Sequence, residues 1–262
     1  MTRKRSLIAS FIPGVDRKLL VRDAAKLLPD PARRRFIKGG ASLGALTLLT
    51  GCDVFDSASA ETLLTHVSKF NDRVQAALFN PNRLAPTYSA SDVTRPFPFN
   101  AFYTLDKAPV VDPDTYRLEV SGLVENNKPW TLAELHALPQ QTQITRHICV
   151  EGWSAIGSWT GTPLRDFLAR IGADTKARYC WFACADGYSN SIDMPTALHA
   201  QTQMTFSFDG EILPRAYGFP MKIRIPTKLG FKNPKHVVAL EVTNDYKGDY
   251  WADMGYNDFS GS

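Results

Sequence analysis

Residues 145–164 constrain this chain more than any other stretch. An alternating approach over 144–150 reads as a strand and delivers one thiol, Cys149. Glu151, Gly152, Trp153 and Trp159 follow as a Gly/Trp-rich turn, and Thr162-Pro163 has the form of a helix start. Such an arrangement presents a single soft ligand to something buried, and the other residues read as its support.

Around this stretch the apolar runs are short. Segments 116–120, 179–184, 204–208, 221–225 and 237–242 read as strands, and Asp209-Gly210 as a hairpin turn into 211–213. A short helix is expected over 131–138, with Thr131 as N-cap and Glu134 at the capping-box position. A second begins at Thr162-Pro163, burying Leu164, Phe167, Leu168 and Ile171 and ending at Gly172. A longer amphipathic helix over 57–79 places Leu64, Val67, Phe70, Val74 and Leu78 at helical spacing before Asn80-Pro81-Asn82 stops it. Prolines at 96 and 98 make the aromatic arm that follows extended. The tail, with Tyr246, Tyr250, Trp251, Tyr256 and Phe259, is too aromatic to stay free of the body. Many short strands and few short helices indicate an α+β domain.

Charge divides the chain. Residues 1–52 hold eleven Lys/Arg against three acids, so the net +4 of the whole leaves the remainder acidic. A mildly acidic body argues against nucleic-acid binding. Arg33-Arg34-Arg35-Phe36-Ile37-Lys38 fits a twin-arginine export signal. The apolar run 39–49 is too short to span a bilayer and suits a signal sequence. Leu49-Thr50-Gly51-Cys52 resembles a lipobox, which makes Cys52 the expected lipidation site. The expected organisation is a signal peptide over 1–52, an amphipathic helix and linker over 53–94, and a catalytic domain over 95–262. The expected location is the periplasm, with anchoring to the inner membrane through Cys52. Export of folded protein by this route is commonly tied to a cofactor inserted beforehand.

Cys149, Cys180 and Cys184 remain for the mature body. Cys180 and Cys184 lie about 13 Å apart if both are on one strand, whereas a disulfide needs Cα atoms within about 7 Å. No zinc spacing, haem-attachment motif or glycine-rich phosphate loop is present in the body. Cys149 is the best ligand candidate. His147 shares its strand face, so a Cys–His nucleophile is a second reading, although no nucleophile elbow surrounds either residue.

Cys149-Val150-Glu151-Gly152-Trp153, Trp159-Thr160-Gly161 with Pro163-Leu164, Asp186-Gly187-Tyr188, Gly218-Phe219-Pro220 and Gly230-Phe231-Lys232 with Lys235 occur in that order. Together they resemble the sulfite oxidase family of molybdopterin enzymes, in particular its bacterial periplasmic methionine-sulfoxide-reductase type. The resemblance covers roughly residues 95–245 and implies a sulfite-oxidase-type fold of mixed β-sheets and short helices. It implies a molybdenum–molybdopterin cofactor with Cys149 as metal ligand. Asn100, Tyr103 and Thr104 match an arm that contacts the pterin, and Cys184 takes the place of a cofactor-contacting threonine. Asn233, Pro234 and Lys235 match the loop that holds the pterin phosphate, with Lys232 and Lys235 as its cations. Tyr217 and Lys222 stand where the family carries Asn and Arg, and a lysine keeps the charge but loses the bidentate fork. The implied reaction is oxygen-atom transfer at sulfur, as sulfite oxidation or sulfoxide reduction, with electrons exchanged with a separate cytochrome. Arg146 is a candidate to attract the substrate oxygen. A non-catalytic molybdopterin-binding electron-transfer subunit is the alternative. A monomer, or a subunit docked on a membrane cytochrome, is expected.

Overall fold

The computed structural model describes residues 57–261. The export signal and Cys52 lie outside them. The chain divides between Thr62 and Leu63 into two units. Of the first, the described part is the opening of helix α1 (Ser57–Leu78). The second carries two sheets.

In the first sheet β1 (Arg117–Gly122) runs parallel to β10 (Val237–Thr243) and antiparallel to β2 (Trp130–Thr131). On its other side β10 pairs with β5 (Tyr179–Cys184), which pairs with β6 (Ser189–Asp193). The second sheet orders β3 (Gln141–Ile148), β4 (Ser154–Pro163), β7 (Gln203–Phe208) and β8 (Glu211–Ile212), with β9 (Lys222–Arg224) also on β7. Three short helices, α2 (Leu132–His136), α3 (Leu164–Arg170) and α4 (Met194–Ala197), fill the connections. This is the α+β class expected from the alternation.

Period-two patterning builds the core. Leu118 and Val120 of β1 are buried while Arg117 and Glu119 are exposed. They share one apolar cluster with Phe182 of β5, Leu240 of β10, Phe167 and Leu168 of α3, and Met204 and Phe206 of β7. Both sheets and α3 therefore contribute to one core. The capping box on α2 forms as the sequence predicts. Thr131 Oγ1 accepts from the Glu134 N–H at 3.1 Å, and the Glu134 carboxylate accepts from the Thr131 N–H at 2.8 Å.

Two expectations change. The region after Cys149 is a turn only as far as Trp153, and 154–163 is a strand paired with β3 over 154–161. Glycines hide that strand in the sequence. A Cβ at Gly161 would lie 1.9 Å from the Met204 carbonyl oxygen, beside a bulge in the β4–β7 pairing, so the close approach requires glycine. Pro163 closes β4 and serves as the N-cap residue of α3. Strand β6 carries Ser, Asn, Ser and Asp around one isoleucine, which gives no apolar signal, yet its centre is buried.

Candidate active site

Strand β3 ends at Ile148, so Cys149 opens the β3–β4 loop. The Cys149 N–H donates to the Trp153 carbonyl at 2.9 Å, and the Gly152 N–H donates to the Cys149 carbonyl at 3.1 Å. Gly152 has φ +90, a conformation that L side chains rarely adopt, and this closes the loop tightly enough to fix the thiol. Cys149 is buried and lines a cleft of about 160 Å³. The Glu151 carboxylate lies 3.8 Å from Sγ and accepts the Trp153 indole N–H at 3.0 Å. Burial is the main cause pushing the Cys149 thiol pKa up.

Three further segments complete the cleft. The arm contributes Asn100, Phe102 and Tyr103, the β5–β6 turn contributes Asp186 and Tyr188, and the loop before β10 contributes Asn233, Pro234 and Lys235. Lys235 Nζ ties arm to loop, donating to the Asn100 carbonyl at 2.5 Å and to the Ala216 carbonyl at 2.9 Å. Tyr103 donates to Asp186 at 3.0 Å, and Tyr188 to the Phe231 carbonyl at 2.6 Å. The tail wraps the body as expected, bringing Trp251 and Tyr256 to the cleft. Phe102 stacks on Tyr250 with centroids 4.9 Å apart, so the walls include flat aromatic faces.

Behind the floor lies a group of cations. Lys222 and Arg224 alternate with Met221, Ile223 and Ile225 along β9, and all five are buried. Arg224 donates to Asn233 Oδ1 at 2.8 Å and to the Arg146 carbonyl at 2.6 Å, while its buried Nε has no partner. Lys222 Nζ and Arg224 Cζ lie 5.0 and 5.8 Å from the Trp159 ring. Among the described residues, Lys222, Arg224 and Lys235 form no ion pair with an acid. Burial lowers all three pKa values, Arg224 to about 9 and Lys235 to about 8, and mutual repulsion adds to the lowering at Lys222. His147 sits among them with both ring nitrogens buried and unpartnered. Burial first, then Lys222, Arg224 and Lys235, hold its pKa well below the ordinary value. A Cβ at Gly230 would meet His147 Nε2 at 2.5 Å, so this loop needs glycine there.

Of the residues singled out by sequence, Asn100, Tyr103, Cys149, Asn233, Pro234 and Lys235 come together at the cleft. The others do not line it. Lys222 stands in the cation group behind the floor. Lys232 is buried and paired with Asp249 at 2.5 Å. Cys184 belongs to the apolar core beneath the Asp186–Tyr188 turn. Thr104 caps a short turn on the exposed side of the arm. Tyr217 donates to the Phe97 carbonyl at 2.7 Å within an aromatic cluster containing Phe97, Trp159 and Phe208. Arg146 is a correction to the sequence reading. Its neighbour His147 is buried on the inner face of β3, and strand alternation turns Arg146 outward over the Tyr88 ring, at 5.3 Å, in a separate hollow. Among the described residues no hydrogen bond joins Cys149 to His147, and the thiol's side-chain partner is Glu151. A Cys–His nucleophile has no geometric support.

Sequence reasoning gave no role to Arg224, Glu151 or the Asp186 carboxylate. Arg224 had a signal. Cations alternating with Met221, Ile223 and Ile225 normally face solvent on a half-buried strand, but β9 is covered on both faces.

The donor set suits an anionic pterin ligand. It offers one thiol on the cleft floor, aromatic walls, and buried cations that make no ion pair among the described residues. Among the described residues no three His, Cys, Asp or Glu side chains converge on a metal position, so Cys149 would be a lone protein ligand to a metal otherwise held by a bound group.

Comparison with known proteins agrees. The family model described as oxidoreductase molybdopterin binding domain matches residues 106–251, more than half of the chain. The putative protein-methionine-sulfoxide reductase subunit YedZ1 of Azospira oryzae is 58% identical over 241 residues, covering 92% of each chain. The protein-methionine-sulfoxide reductase catalytic subunit MsrP of Ralstonia nicotianae is 29% identical over 202 residues, 66% of this chain and 61% of that one. The sulfane dehydrogenase SoxCD of Paracoccus pantotrophus shares the fold, with a TM-score of 0.50 at 22% identity, covering 53% of this chain and 40% of that one. This chain belongs to the molybdopterin-binding oxidoreductases of the sulfite oxidase family.

Proposed function

We propose that the chain reduces sulfoxides, with oxidised methionine in proteins as the substrate class, using electrons from a separate membrane or periplasmic cytochrome. The carrying observation is Cys149 on a cleft floor backed by Lys222, Arg224 and Lys235, which form no ion pair among the described residues. The relatives' names supply the substrate class. A molybdenum–molybdopterin group, when bound, supplies two-electron oxygen-atom transfer. Cys149 would hold the metal, since a soft thiolate suits it and binding displaces the proton that burial keeps on the thiol. Lys235 and the cations behind it would neutralise the phosphate, and Asn233 keeps Arg224 aimed at the floor. Tyr103, Tyr188 and Phe102 shape the cleft walls and exclude water. Glu151, held by Trp153, is the carboxylate beside the thiol. The overall reaction consumes two electrons and two protons per sulfoxide and releases water.

The export reading belongs with this proposal. Arg33-Arg34-Arg35 would route the loaded protein to the periplasm, and lipidated Cys52 would hold it on the inner membrane. The test compares two assays on purified protein. Reduced-dye oxidation by oxidised-methionine protein is expected, with sulfite-dependent ferricyanide reduction much slower; the reverse ranking would overturn the assigned direction and substrate.

A further inference from the structure

The strongest feature outside the cleft is the outer face of α1. Four residues dock the helix: its partly buried Ser68, Asp72 and Gln75, and Phe79 just past its end, spaced four, three and four apart. Ser68 donates to Asn257, Asp72 accepts from the N–H groups of Asp258 and Phe259, and Gln75 accepts from the N–H of Gly261. Phe79 packs edge-on against Phe259 at 5.5 Å. The helix is thus held by a largely polar seam against the tail. Its apolar residues are elsewhere. Leu64, Val67, Phe70, Val74 and Leu78 fall on one arc of about 120° at helical spacing. They face solvent, with Leu64, Phe70 and Leu78 exposed by 68%, 63% and 78%. Exposed Lys69 and Arg73 lie beyond one edge of the arc, and the docked seam lies beyond the other.

We propose that this face lies in the surface of an anionic phospholipid bilayer. An amphipathic helix with a bulky apolar stripe and a basic edge has the chemistry of an interfacial helix. The chain outside the described residues favours lipid over a protein partner. Cys52 precedes Ser57 by five residues, so a lipid on Cys52 keeps the start of the helix within about 20 Å of the bilayer. This rests on the lipidation reading. One acyl anchor tethers, and a second, weaker contact fixes orientation. The seam passes that orientation to the tail, which also supplies Tyr256 to the cleft. The helix would therefore set how the cleft faces the membrane.

The test uses the full-length holoenzyme in protein-free vesicles of phosphatidylethanolamine and phosphatidylglycerol. An environment-sensitive fluorophore is attached in turn at Phe70→Cys, Leu64→Cys and Arg73→Cys, positions that carry no buried contact. Blue-shifted emission and quenching by lipid-borne quenchers are expected at 64 and 70, with little change at 73. The mass of the mature chain reports lipidation separately. An acyl-free chain whose labels still enter the vesicles would support the helix contact and remove the anchor. An acylated chain whose labels at 64 and 70 stay in water would keep the anchor and overturn the proposal. Shielding at 64 and 70 only in native membranes, never in pure lipid, would overturn it in favour of a protein partner.

Discussion

Two buried regions of this domain are built on opposite terms. In the core, Leu118, Phe167, Phe182 and Leu240 belong to one buried apolar cluster, and burial stabilises them. Behind the cleft, Lys222 and Arg224 are equally buried but meet one another, His147 and the Trp159 ring. Buried charge without countercharge costs stability, and among the described residues no acid pairs with either cation. The core is complete as protein. The floor gathers cations that make no ion pair among the described residues, and that difference separates the packed core from the candidate site.

The largest contrast should come from Cys149→Ser. The thiol sits in a loop held by backbone bonds, so turnover is expected to fall by about a thousandfold or more, roughly 4 kcal/mol in the barrier, with thermal unfolding little changed. Activity within an order of magnitude of wild type would remove Cys149 from the chemistry. Phe167→Ala should do the opposite, costing about 3–5 kcal/mol of stability by denaturant titration, with the same loss in cofactor-loaded and cofactor-free protein. A loss confined to the loaded form would break the separation of core from floor.

Lys222→Met should stabilise the cofactor-free protein by roughly 1–3 kcal/mol, because it removes an unpaired buried charge, and should weaken pterin retention on dialysis. Destabilisation of the cofactor-free form would mean that Lys222 has a partner in the protein. The pH dependence has the same origin. Burial holds Lys235 at about 8 when folded, against 10.5 for the ordinary side chain. Between these values the unfolded chain binds more protons, so cofactor-free stability should rise as pH climbs through this window. A bound phosphate favours the charged lysine and should flatten that rise; parallel melting curves for both forms would contradict it. Arg146→Ala should have the smallest effect, under about twofold in kcat/KM or about 0.4 kcal/mol, because Arg146 faces Tyr88 and not the cleft. A loss of kcat beyond tenfold would return it to the site.

Much of this was legible in the sequence where local rules act alone. Alternation located β1, β5, β7 and β10, and Thr131 with Glu134 located α2 to within two residues. The position of Cys149 at a strand end was legible for the same reason. Strand β4 was not, because Gly157 and Gly161 answer to Trp159 and to the Met204 backbone across the sheet, and such contacts leave no local pattern. The site was half legible. Asn100, Asn233 and Lys235 follow from the family motifs, while Cys184 and Tyr217 show that a motif position does not say which way a side chain points, and Arg146, named outside the motifs, faces Tyr88. The burial of Arg224 depends on covering both faces of β9, a fact of tertiary packing.

The central claim is that Cys149 and the cation-backed cleft hold a molybdenum–pterin group. It is tested most directly by metal and pterin analysis of the purified full-length protein, combined with X-ray absorption at the molybdenum edge, for wild type and Cys149→Ser. About one molybdenum and one pterin per chain are expected in wild type, with one sulfur scatterer lost and the pterin retained in the variant. A wild-type protein without molybdenum or pterin, or a sulfur shell unchanged by Cys149→Ser, would contradict it.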